Sequence, residues 1–107
     1  LLCPVTLVPP FPHHQEGDFG NRTIDVNGVT RPYWDLIGWT GAIGGAYLPV
    51  SVPPLARTTA GLPVGIQVVG PYLEDRTTIA FAGHFAEVAG GFEPPPVAVG
   101  PAKSPAA

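Results

Sequence analysis

The run Leu62-Pro-Val-Gly-Ile-Gln-Val-Val69 sets the strongest limit on how this chain folds. Its aliphatic, β-branched character reads as a buried strand. Val64, Ile66 and Val68 fall on one face of that strand, and Gly65, Gln67 and Val69 on the other. Gly70-Pro71 gives it a tight exit, and Glu74 and Asp75 suit the positive end of a helix dipole. A helix is therefore predicted from Asp75 to the Gly90-Gly91 stop, with Thr78, Phe81, Ala82, Phe85, Ala86, Val88 and Ala89 approximating one face.

Upstream, Leu1 to Val8 reads as a buried strand, with Pro4 forcing either an edge position or an early exit at Cys3. Residues 9–21 carry no period and read as loop. Asn27-Gly28 between Thr23-Ile-Asp-Val26 and Val29-Thr-Arg31 is a strong hairpin signal, because both turn positions accept positive φ. Asp35 is placed as the N-cap of a helix through about Tyr47. Gly38, Gly41, Gly44 and Gly45 each cost that helix about 1 kcal/mol against alanine, so it is expected to be buried in a larger layered body. Val50-Ser-Val-Pro53 reads as a short strand, and Arg57-Thr-Thr-Ala-Gly61 as the turn into the longer one.

The order of elements predicts an α/β fold: a partial sheet of about four to five short strands, hairpin included, with two helices. It divides into an ordered part, residues 1–91, and a Pro/Ala-rich tail, residues 92–107. The tail contains too little apolar surface to offset the entropy of ordering.

Charged residues make up only 12% of the chain, about half the usual share, which suits a piece interior to a larger body. The net charge is −3 and the basic residues are scattered, so a nucleic-acid partner is not expected. No apolar run reaches membrane-spanning length, and Leu1-Leu-Cys-Pro4 lacks the charged lead of a secretory signal. The single cysteine rules out an internal disulfide and fits a reducing cytoplasm. A chain without methionine that opens directly on a strand pattern is expected to be a fragment.

Four stretches, Leu1-Leu-Cys-Pro4, Trp39-Thr40, Pro49-Val-Ser-Val-Pro-Pro54 and Gly61-Leu-Pro-Val-Gly-Ile-Gln67 with Gly70-Pro71, occur in an order and spacing that resembles the closing segment of the amidase signature family. The resemblance covers roughly residues 1–90. Ala56 departs from it, standing where the family usually has glycine. The resemblance implies hydrolysis of a carboxamide by a nucleophilic serine, a second serine in a cis peptide and a lysine, with backbone amides holding the oxyanion. It implies no cofactor. Ile37 stands where the ammonia-transferring branch carries an acidic residue, which favours a plain amide hydrolase. The chain holds Ser51, Ser104 and Lys103, none in a glycine- and serine-rich setting. The catalytic residues are therefore expected upstream, in a missing N-terminal part that is this chain's partner, and the chain alone is expected to be inactive.

Trp39 and Thr40 are the local candidates for the wall of a pocket for a small-molecule amide; the competing reading makes Trp39 ordinary core packing. Arg31, Tyr33 and Asp35 serve equally as pocket polar groups or as surface pairs. Cys3 is expected to be buried and inert. His13, His14, Glu16 and Asp18 lack the spacing of a metal site, and none is assigned. Gln67 is expected to hydrogen-bond neighbouring backbone. Gly61, Gly65 and Gly70 do not form a phosphate loop. A rival reading is a small, non-catalytic binding domain with a Pro-rich tail.

Overall fold

A computed structural model describes residues 1–95. Its centre is the long strand predicted from the aliphatic run. Strands β1 (Leu2–Pro4), β4 (Val50–Ser51) and β5 (Pro54–Arg57) all pair antiparallel with β6 (Pro63–Val69). β1 lies along one part of β6, in register Leu2 opposite Val68 and Pro4 opposite Ile66. Gln67, Val68 and Val69 are buried in succession. Since neighbouring side chains in a strand point to opposite faces, both faces of β6 are covered at this end.

Helix α2 (Asp75–Ala89) packs against β4, β5 and β6. It starts at the predicted residue, and its cap Gly90 is left-handed at φ 98°, a conformation that glycine adopts without a Cβ penalty. Its inward stripe is Thr78, Ala82, Phe85, Ala86 and Ala89. Phe81 and Val88 do not join it; Val88 is 88% exposed. They sit one heptad apart on a neighbouring stripe that none of the described residues buries.

Two further expectations are corrected. The first strand is confined to Leu2–Pro4 rather than extending through Val8, because Pro4 ends the ladder and the chain leaves the sheet. The helix expected from Asp35 begins later: Tyr33–Ile37 is a 3-10 turn, and α1 spans only Gly38–Gly45. Asp35 caps nothing; it accepts a 2.7 Å hydrogen bond from Arg31 Nε, four residues earlier. Within this chain α1 has no buried residue, and a Cβ added at Gly38, Gly41, Gly44 or Gly45 would meet no described atom within 4 Å, which leaves the expected burial in a larger body untested. Among the described residues nothing covers the glycine stripe.

β5 is an additional strand. Pro53-Pro54 reads as a break, but a register irregularity between Pro54 and Ala56 accommodates it, and β5 and β6 form a hairpin. Its turn is closed by Thr58 N donating to Leu62 O at 2.8 Å and by Gly61 at φ 80°.

The Asn27-Gly28 hairpin forms as read, between β2 (Thr23–Val26) and β3 (Val29–Pro32). Asn27 and Gly28 have φ of 55° and 81°, and Gly28 N donates to Asp25 Oδ1 at 2.9 Å. Replacing Gly28 by valine is expected to cost about 1–2 kcal/mol, because a β-branched residue pays the left-handed penalty in full. Faster amide exchange confined to β2 and β3 would report it.

Candidate functional site

Trp39 and Thr40 lie in the first turn of α1. Trp39 is 41% exposed, and the Thr40 hydroxyl donates to Ile37 O at 3.2 Å. The stretch is held from two directions. Thr6 Oγ1 donates to Leu36 O at 2.9 Å, tying the segment after β1 to the turn that precedes α1. On the other side, an aromatic cluster builds outward from Tyr33 and Trp34. Phe19 meets Tyr33 and Trp34 edge-to-face, with centroids 5.5 and 4.9 Å apart, and Phe11 meets Tyr33 at 6.1 Å. Such contacts each add about 0.5–1.5 kcal/mol beyond area burial. Arg22 lies over Phe19 at 5.4 Å and donates to Gln15 O, which fastens the loop of residues 9–21 to the same cluster. Trp39 thus stands on an anchored platform with its ring open to solvent, outside the packed core. Trp34 and Ile37, close to it in sequence, are exposed as well.

The remaining candidates fall in structural roles. Gln67 is 3% exposed, and its Nε2 donates to Pro4 O at 2.6 Å, so the amide ties β6 to the end of β1 as expected. Its contact to Cys3 Sγ is longer, 3.7 Å. Cys3 is buried and free. Ser51 Oγ donates to Thr78 Oγ1 at 3.0 Å, and Thr78 Oγ1 passes its own hydrogen to Asp75 O at 2.8 Å. That relay joins β4 to the first turn of α2 and leaves the Ser51 hydroxyl engaged in the fold. His13, His14, Gln15 and Glu16 line an open surface depression. Among the described residues no group of three or more His, Cys, Asp or Glu side chains is placed to hold a metal ion.

A second concavity was not anticipated. A groove of about 680 Å³ runs between the β5–β6 hairpin and the C-terminal end of α2, lined by Leu55, Leu62, Pro63, Ala89, Phe92 and Pro95, with Arg57 and Glu93 at its edge. The partners meet only in the fold, since Arg57 and Glu93 are 36 residues apart. The Gly90-Gly91 pair was the one local sign that the chain turns back here.

Comparison with known proteins bears on the platform. The family model described as Amidase matches residues 1–79, which include every strand, α1 and the first turn of α2. The chain belongs to the amidase family. Among characterised amidases, it is 38% identical over 64 residues to fatty-acid amide hydrolase 2 of Homo sapiens, covering 60% of this chain and 12% of that protein. Over 57 residues it is 37% identical to fatty-acid amide hydrolase 2-A of Danio rerio, covering 53% of this chain and 11% of that protein. The match thus spans about one-eighth of the length of these amidases. No helix among the described residues is long and apolar enough to cross a membrane.

Proposed function

We propose that the chain is the C-terminal segment of a cytoplasmic enzyme that hydrolyses a carboxamide, and that its α1 platform closes one side of the substrate cleft. The observation that carries this reading is the family match over residues 1–79, set beside the few groups able to do the chemistry. Acyl transfer from an amide needs a hydroxyl nucleophile within hydrogen-bond reach of a base. Ser51 spends its hydrogen on Thr78. The sole lysine, Lys103, and the other serine, Ser104, lie outside the described residues, in the Pro/Ala-rich sequence. The serine, cis-serine and lysine implied by the resemblance are then supplied by preceding sequence. There the lysine takes the nucleophile's proton through the bridging serine, and backbone donors hold the oxyanion.

In this reading Trp39 and Thr40 contact the acyl or leaving group. Trp39 offers a broad apolar face, already positioned by the aromatic cluster, and the adjacent glycines leave room for a substrate or a second backbone to approach. The names of the two relatives make fatty-acid amides the first substrates to try.

The test begins with the coding sequence upstream of Leu1, which is expected to hold a glycine- and serine-rich stretch and a lysine. Expressed with that sequence, the enzyme is expected to turn over an amide, and Trp39→Ala to lower kcat/KM by about tenfold with a fatty-acid amide. Upstream sequence without that lysine and serine pair would overturn the catalytic assignment. An unchanged kcat/KM in Trp39→Ala would overturn the pocket assignment alone.

A further inference from the structure

The groove beside α2 has no part in the catalytic reading, yet it is built like a ligand site. Its walls are aliphatic and aromatic, and among its described lining residues Arg57 is the sole cation. Arg57 Nη1 donates to Gly61 O at 2.9 Å, which holds the guanidinium at the groove's edge. Nη2 faces Glu93 Oε2 at 2.5 Å. Gly90 and Gly91, at φ 98° and 69°, turn the chain back after α2 and deliver Glu93 to that position. The two side chains remain 47% and 67% exposed, so their pairing contributes at most about 1 kcal/mol. A carboxylate held weakly on the one cation among the groove's described residues occupies the place of a ligand of the same chemistry.

We propose that this groove binds a small amphipathic carboxylate, an acid with an alkyl body, and that Glu93 is its internal competitor for Arg57. The alkyl chain lies along Leu55, Leu62, Pro63 and Ala89, and the carboxylate replaces that of Glu93 on the guanidinium fork. About 680 Å³ falls within the range of small-molecule sites and is ample for an eight-carbon acid. A single guanidinium matches one negative charge; a polyphosphate would need several cations. Displacing Glu93 requires only a swing at the paired glycines, whose backbone has the freedom for it.

The experiment is an amide-resolved NMR titration of the 107-residue chain with sodium octanoate, and with octylammonium at equal ionic strength. Saturable shifts are expected at Leu55–Arg57, Leu62 and Ala89–Glu93 with octanoate alone. Glu93→Gln, which removes the competitor, is expected to tighten binding about threefold. Arg57→Gln is expected to weaken it about tenfold, and Arg57→Lys to recover part of the loss. Equal binding of octylammonium, no tightening in Glu93→Gln, or undiminished affinity in a folded Arg57→Gln variant would each overturn the proposal. Should Arg57→Gln fail to fold, Glu93→Gln and the octylammonium comparison still decide it.

Discussion

Replacing Gly70 by alanine is expected to destabilise the joint between β6 and α2 by about 1–3 kcal/mol, the usual cost of forcing extra volume into a packed site. A Cβ at this position would stand 2.5 Å from Thr78 Cγ2, a separation that real side chains do not reach. Thr78 has little freedom to yield. It is 2% exposed and its hydroxyl is fixed between Ser51 and the Asp75 carbonyl. The backbone at Gly70 is equally committed, since its N–H donates to Pro49 O at 3.0 Å. Relief therefore requires the first turn of α2 to lift from the sheet. A lowered Tm should accompany faster amide exchange at the start of α2. The double variant Gly70→Ala, Thr78→Ser removes the clashing methyl and keeps the hydroxyl, so it should recover much of the loss. No recovery would mean that the glycine is needed for another reason.

Gln67→Leu is expected to cost somewhat less, about 0.5–1.5 kcal/mol, by a different route. Leucine is apolar and nearly the same length, so lost packing is a minor part. The cost comes from Pro4 O, which loses its 2.6 Å donor while the carbonyl stays at the end of β1. The expected signature is local: exchange protection falls in β1 and at its partners Ile66 to Val68, while the hairpin β2–β3 is unaffected. Uniform loss of protection across both sheets would argue that Gln67 supports the whole core instead of one strand pairing.

These two sites also mark where sequence reasoning reaches and where it stops. The β6 strand and the Asn27-Gly28 hairpin were legible because each depends on residues next to one another: an aliphatic run between glycines in one case, two positive-φ positions in the other. Gln67 was legible as a buried amide in need of a partner, since an apolar strand offers it no water. The proximity of Thr78 to Gly70 was not, because it depends on the angle at which α2 returns over the sheet. β5 was hidden for a related reason. Consecutive prolines, Pro53-Pro54, lack the donors of a regular ladder, and only pairing with β6 shows that the chain continues as a strand past them. The apolar periodicity of α2 was read correctly as helical, yet it included Phe81 and Val88, which the helix turns outward. Periodicity identifies the helix but assigns its stripe only to within a residue or so. Trp39 and Thr40 were singled out by resemblance alone; no local pattern in the sequence says that Trp39 is left exposed at the start of α1.

Every strand of the main sheet has β6 as its partner, and this carries a cost during synthesis. The backbone nitrogen of Leu1 donates to Val69 O, 68 positions away. As the ribosome delivers the chain, β1 emerges more than sixty residues ahead of the end of β6 and waits, unpaired, until the strand that shelters it has been translated and has cleared the exit tunnel. Closing so long a loop slows assembly, and an uncovered strand in the interval is open to self-association. Chaperone demand should therefore fall on the nascent chain before Val69 appears and ease soon after.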